Sequence, residues 1–316
     1  MEQVVASYLR QLWYINDWLY EGQHGFMQGF SCESQVTSVC QDIADSLDNE
    51  ARLDAIIIDF SKAFDLVPRD RLLTKVAASG MELRVVVSTK EFLLGRTQRV
   101  RGGGQLSEEV RVNSGVPQVR ILGPLLFLAY VNDIWKKTDS TIRLFADDCV
   151  MHRKTVNNND VENLQIDLGR LGEWAVENGM KVNPGKSIAV SFVRARVKDP
   201  LNYPLLDQVI PQASSCKYLG IILRSDLTWT DPINCTAKEA WKALLCTMRI
   251  LKKGNSYTGS LAYKSLVRPI LEYRAACWDP FREGHIKALD HVQKKRQNLQ
   301  IVRKIRTGKR WRRVER

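Results

Sequence analysis

Long apolar runs are missing from this 316-residue chain, and none approaches the roughly 18–20 uninterrupted residues that a membrane-spanning helix requires. The amino terminus also lacks the basic-then-apolar layout of a secretory signal peptide, so the expected location is intracellular, nucleus or cytoplasm, with no membrane partner. Cys-x-x-Cys pairs are absent. The seven cysteines, at 32, 40, 149, 216, 235, 246 and 277, are odd in number and scattered, which argues against a disulfide framework or a zinc ribbon. Histidine is scarce, and His24, His152, His285 and His291 show no recurring spacing with the cysteines. Reduced, mostly buried thiols are expected. No internal repeat is visible, which speaks against a solenoid.

What the chain does have is enough apolar residue, 44%, to bury one large core or two to three smaller ones. Its formal charge is +12, but the excess is local. Eleven Lys and Arg residues fall in 294–316 against one acid, Glu315, so that segment carries +10 and the remaining chain +2. A polyanionic partner is therefore suggested by the tail more than by the body.

Periodicity predicts a helix within residues 1–20, a glycine-rich turn over 20–29, and a second helix over 34–47. Asp54-Ala55-Ile56-Ile57-Ile58-Asp59-Phe60 reads as a short buried strand. Pro68 opens a helix that Gly80 stops. Residues 92–112 read as a hairpin around Gly102-Gly103-Gly104, and 124–135 as a long apolar helix. Thr141 to Phe145 and Cys149 to His152 read as two extended runs joined by a turn of small and acidic residues. An amphipathic helix follows Asn158 and stops at Gly179. Strands are then expected over 187–192 and, as one run, Cys216–Leu223. Beyond Asp226 the pattern is helical, with Lys238, Lys242, Arg249 and Lys253 on one face. Together these elements indicate an antiparallel α+β core followed by a helical lobe.

Asp147 and Asp148, adjacent at a hairpin crest, repel each other, and a counter-cation would remove that cost. Magnesium takes one or two carboxylates and completes its octahedron with water and substrate phosphates. A third carboxylate is available from Asp59, at the end of its strand.

Five ordered motifs make this pattern specific. They are Ile58-Asp59-Phe60-Ser61-Lys62-Ala63-Phe64-Asp65, then Ser114-Gly115-Val116-Pro117-Gln118 with Leu122-Gly123-Pro124-Leu125-Leu126-Phe127, then Phe145-Ala146-Asp147-Asp148, Gly179 to Lys186, and Tyr218-Leu219-Gly220. In this order they resemble the reverse transcriptase domain of a non-LTR retrotransposon of the LINE type, jockey/CR1-like, over residues 1–295. The resemblance implies a right-hand polymerase: partial fingers over 1–50, an antiparallel-sheet palm with a fingers insertion over 51–230, and a helical thumb over 231–295; beyond it, the basic residues of 296–316 are expected to form a disordered tail.

It further implies RNA-templated addition of deoxynucleotides to a DNA primer. Asp59 and Asp147 would bind two magnesium ions, with Asp148 beside them. Phe64 would lie under the sugar of the incoming nucleotide and exclude a 2′-hydroxyl. Gln118 would sit beside the nascent base pair, Lys186 would neutralise or protonate the departing pyrophosphate, and Tyr218, Leu219 and Gly220 would grip the primer end. Taken without the resemblance, the same residues also fit solvated turn aspartates, a core phenylalanine, a solvated lysine and an ordinary edge strand. An intron-encoded maturase would need an extra basic domain, and a nucleotide cyclase a Gly-Gly-acidic turn; neither is visible.

The chain departs from the family pattern at two places. After Gln118 the family has Gly-Ser, and here stand Val119 and Arg120, of which valine resists close backbone approach and positive φ. Where the family has Gly-Phe-Arg-Pro-Gly-Arg-Ser, this chain has Gly25-Phe26-Met27-Gln28-Gly29-Phe30-Ser31, with both arginines replaced by apolar residues. The rival expectation is thus a catalytically inactive nucleic-acid-binding remnant of a decayed element. The chain is also expected to begin inside the fingers, and its tail to come from a shifted reading frame or read-through of a decayed copy.

Overall fold

The computed structural model describes residues 2–118, 120–194, 200–251, 256–273 and 282–306, with backbone alone for 256 and 296–306. Two compact units divide the chain, Met1–Leu219 and Gly220–Arg316.

At the centre of the first unit lies a four-stranded antiparallel sheet in the order Ile188–Phe192, Arg52–Ile58, Asp148–Thr155, Thr141–Phe145. Side chains alternate between faces along each strand. Ile56 and Ile58, Cys149 and Met151, and Ile142 and Leu144 therefore share one face, and all six belong to the main apolar core. Also in that core is the helix Leu122–Val131, nine of whose residues are buried. A helix apolar on every side has to be enclosed by its own protein.

The opposite face is covered by the helix Cys32–Asp48, whose Asp42 accepts bonds from Arg143 Nε at 2.9 Å and pairs with His152 Nε2 at 3.1 Å. The helix Asn158–Glu177 packs on the Asp148–Thr155 strand. Both helices begin with reciprocal capping boxes, Ser31 with Ser34 and Asn157 with Asp160. Caps of this kind satisfy backbone donors that the first turn leaves free.

Several features differ from the sequence reading. A helix at Leu83–Leu93 was not anticipated. The 92–112 hairpin consists of two short ladders, Thr97–Gln98 with Val110–Arg111 and Arg101–Gly102 with Gln105–Leu106. The Cys216–Leu223 run is broken into strands Ser215–Tyr218 and Ile221–Arg224, because Leu219 (φ 45°) and Gly220 (φ 77°) turn left-handed between them. Left-handed residues cannot continue a strand.

The second unit is mainly helical: Thr230–Ile250, Ser256–Leu266, Arg268–Glu272 and Glu283–Arg306. Its own small core gathers Ala240, Leu244, Tyr263, Val267, Leu271 and Val292. The last helix runs through Arg306, so the segment read from sequence as a disordered tail from 296 is helical that far; 307–316 lie outside the described residues. Cys277 and Lys253 also lie outside them.

Candidate active site

Strand register brings the acidic residues together. Ile57 pairs with Val150 and Ile58 with Cys149, the last pair of that ladder, so Asp59 and Asp148 each lie one residue beyond it, close enough for the Asp59 charge to act on Asp148. On the other edge of the same strand, Phe145 pairs with Asp148 and closes the hairpin through Ala146 and Asp147. Ala146 has φ +59°, as the first position of a primed hairpin turn requires. That conformation is unfavourable for a residue with a Cβ and persists only where neighbours enforce it.

Backbone bonds hold Asp59 from a distant turn. Its N–H donates to Ser187 Oγ at 3.1 Å, and its carbonyl accepts from the Asn183 N–H at 2.9 Å. Ser187 Oγ in turn donates to the Asn183 carbonyl at 2.9 Å. The turn that carries Lys186 is thereby tied to the first aspartate, and Lys186 itself is exposed.

On the hairpin side the chain Gly22–Gly25 runs along the Thr141–Phe145 strand. Leu144 N–H donates to the Gly22 carbonyl at 2.8 Å, and His24 N–H to the Leu144 carbonyl at 2.9 Å. Gln23, 3% exposed, lies between these bonds with its side chain at the Ala146 turn. Gly25 is obligatory there, since a Cβ would stand 2.2 Å from Ala146 N.

The electrostatics are those of an uncompensated acidic cluster. Among the described residues no Lys, Arg or His forms an ion pair with Asp59, Asp147 or Asp148. Desolvation pushes the Asp148 carboxyl up to about 6, with the charges of Asp147 and Asp59 adding to it. Desolvation also raises Asp147, a rise that the bond from its own N–H only partly offsets and to which the Asp59 charge adds. The same arrangement explains why Cys149, fully buried next to Asp148, is held as a thiol: burial pushes it well above its usual range. Among the described residues no three His, Cys, Asp or Glu side chains converge tightly enough to enclose a metal ion by themselves. The donors present are hard carboxylate oxygens, which suit an oxygen-seeking cation that keeps most of its water.

The remaining sequence-predicted residues are placed as follows. Phe64 is 7% exposed, stacked on Phe127 at 4.2 Å and met edge-on by Phe26 at 6.3 Å. Gly115, at φ +83°, lets its loop lie against the Phe64 and Asp65 carbonyls, where a Cβ would come within 2.8 Å. Gln118 follows on that loop and is exposed, while Val119 lies outside the described residues. Arg120 turns to Glu2, with Nη1 3.3 Å from Oε2. Tyr218 is buried, and its hydroxyl accepts from Gln35 Nε2 at 3.2 Å. Burial raises the Tyr218 phenol, and the Asp148 charge adds to the shift, which sets this ring near the acidic cluster.

Sequence reasoning missed Gln23, Asn183 and Ser187 as supports. Of these only Asn183 carried a local signal, its place before Pro184-Gly185 in a turn.

Residues 1–223 match the family model for reverse transcriptase (RNA-dependent DNA polymerase). The chain belongs to this family. This reverse transcriptase domain is 29% identical over 306 residues to the probable RNA-directed DNA polymerase from transposon X-element of Drosophila melanogaster, covering 92% of the chain and 32% of that relative. It is 28% identical over 296 residues to the corresponding protein of transposon BS from the same species, covering 88% and 32%. Against the RNA-directed DNA polymerase from mobile element jockey of Drosophila funebris it is 27% identical over 306 residues, covering 92% and 32%. The domain thus spans about a third of the length of these curated relatives.

Among solved structures, apo telomerase of Candida tropicalis truncated from its C-terminal domain superposes with TM-score 0.50 at 13% identity, covering 72% of this chain and 44% of that one. Candida tropicalis telomerase in complex with a TWJ fragment of telomeric RNA gives TM-score 0.51 at 11% identity, covering 96% and 46%. At such identities the likeness concerns the fold, an α+β right-hand polymerase architecture. No helix among the described residues is long and apolar enough to cross a membrane.

Proposed function

We propose that this reverse transcriptase domain adds deoxynucleotides to a DNA primer on an RNA template, with Asp59, Asp147 and Asp148 as the catalytic carboxylates. The observation that supports the reading is the strand register, which ends at Ile58 and Cys149 and so brings Asp59 near Asp148 and Asp147, whose charges act on one another, with no cation paired to them among the described residues. Magnesium fits the donor set, because it is commonly bound through one or two carboxylates plus water and substrate phosphates. That preference suits residues that stand close enough to perturb one another without enclosing an ion. When bound, two such ions would stabilise charge on the attacking primer 3′-oxygen and on the leaving phosphate oxygen.

The protein's own residues have the work of positioning. Lys186, exposed on the turn bonded to Asp59, would meet the departing pyrophosphate. Gln118, exposed at the end of the loop packed on Phe64, is the candidate for contact with the nascent pair. Phe64 is mostly core, so its remaining exposed edge is what would face the nucleotide sugar. In the primer grip Tyr218 would act from below, since its ring is buried, and the Leu219-Gly220 turn would make the contact. Exposed Lys238, Lys242 and Arg249 would track phosphates, and the boundaries at 50, 230 and 295 go with this reading as fingers, palm and thumb.

The test is primer extension on an RNA template with Mg²⁺ and deoxynucleotides, comparing the chain with Asp147→Asn. Extension that the variant abolishes supports the polymerase. A folded protein that binds primer–template and extends nothing sinks it in favour of the inactive remnant. In that event, Val119→Gly with Arg120→Ser recovering extension would assign the defect to that loop.

A further inference from the structure

We infer that Gln23 is a positioning residue for the catalytic turn: its side-chain amide holds both backbone polar groups of Ala146 and so sets the direction in which Asp147 stands. The inference rests on the polymerase reading for its consequence, and on geometry of its own for the clamp.

Gln23 Oε1 accepts from the Ala146 N–H at 2.9 Å and from the Gly25 N–H at 2.7 Å. Its Nε2 donates to the Ala146 carbonyl at 3.4 Å. Ala146 sits in the turn beyond the last paired residues, Phe145 and Asp148, so the strand ladder does not satisfy it. A buried amide and a buried turn would each be costly unpaired, and here each completes the other.

The location of these bonds gives them a mechanical meaning. Ala146 is held at φ +59°, which a Cβ disfavours, and relaxation of that angle would rotate the peptide plane leading into Asp147. The Ala146 carbonyl belongs to that same peptide plane, so the bond from Nε2 fixes its orientation directly. Gln23 is itself anchored, because its neighbours Gly22 and His24 exchange backbone bonds with Leu144 on the same strand. Gly25 closes the arrangement by leaving no Cβ to push the turn away. The clamp reaches the turn from 123 residues away in sequence.

Gln23→Met keeps the length and removes every bond. It is expected to lower the maximal extension rate on the order of 10²-fold, the cost of a misplaced reacting group, with little change in primer–template Kd. Ala146→Gly added to Gln23→Met is expected to recover most of that rate, since glycine holds positive φ without assistance. A merely structural glutamine would show no such recovery. An unchanged rate in Gln23→Met, or a loss that Ala146→Gly does not repair, overturns the proposal. If the wild-type chain extends nothing, the polymerase reading fails, and the clamp is read from amide exchange instead. Faster exchange at Gly25 and Ala146 in Gln23→Met, with the sheet amides unchanged, then upholds it; equal exchange overturns it.

Discussion

Two aspartates at the two ends of one strand are treated in opposite ways. Asp54, fully buried, has Oδ2 bonded to Arg52 Nη2 at 2.9 Å and to the Tyr203 hydroxyl at 2.8 Å. Asp59, just past the other end, acts through its charge on Asp148 and has no paired cation among the described residues. The contrast extends across the sheet. Asp42 is matched by Arg143 and His152, and Asp167 by Arg170 at 3.0 Å, whereas the hairpin end leaves three carboxylates to repel one another. Pairing of Asp42, Asp54 and Asp167 with cations, beside three carboxylates left unpaired among the described residues, is the contrast that the proposed cation site would explain.

The sharpest way to break this comparison is to neutralise one residue from each group. Asp147→Asn is expected to reduce primer extension by roughly 10²–10³-fold or more, while its urea midpoint stays level or rises because a repulsion has gone. Asp54→Ala should do the reverse. Leaving Arg52 and Tyr203 without their acceptor is expected to cost about 3 kcal/mol of stability, measured by urea unfolding, with activity per folded molecule retained. Loss of stability in Asp147→Asn equal to that in Asp54→Ala would erase the distinction.

A smaller effect is expected from the cation itself. Added Mg²⁺ at about ten times its Kd should stabilise the wild-type chain by roughly 1.4 kcal/mol through mass action, seen as a shift in thermal unfolding. Asp147→Asn should shift less, and Asp54→Ala as much as the wild type. Equal shifts in all three would place the bound ion elsewhere.

The finest distinction is the sign of the pH dependence in metal-free buffer. Asp148 has its folded-state value raised from 3.8 to about 6, so the folded chain holds that proton more tightly than the unfolded chain. Its contribution to stability is therefore greatest below about 4 and declines as pH rises to about 6. For Asp42, burial pushes upward but the bonds from His152 and Arg143 outweigh it, and its value is lowered. That contribution is present above the ordinary carboxylate range and is lost as pH falls through the depressed value. Urea midpoints measured across this range should lose the first slope in Asp148→Asn and the second in Asp42→Asn.

Much of this was legible in the residues. The triple isoleucine of Ile56-Ile57-Ile58, the helix starts expected near Ser34 and Asn158, and the small acidic turn at Ala146-Asp147 are local patterns, and each formed its expected element, with the helix caps at Ser31 and Asn157. The helix Leu83–Leu93 was not legible because Val85, Val86 and Val87 are β-branched and disfavour helix; the docking of Thr89 and Leu93 into buried positions overrides that preference. For Tyr218 the resemblance implies a primer grip and the local pattern an ordinary edge strand; its burial is not visible locally, since its hydroxyl partner, Gln35, is 183 residues away. Arg120 read as an intruder in the substrate loop, and its pairing with Glu2 spans 118 residues.

The sequence by itself determined the family, most of the order of strands and helices, and the three candidate acids, since these depend on residue type, spacing and period within short windows. Tertiary structure alone decided that Asp59 meets Asp148, that Ser187 and Asn183 hold the first aspartate, and that Gln23 clamps the turn of the second. Those are contacts between residues far apart along the chain, and no local pattern encodes them: they exist only once the antiparallel register has been set and the core has closed around it.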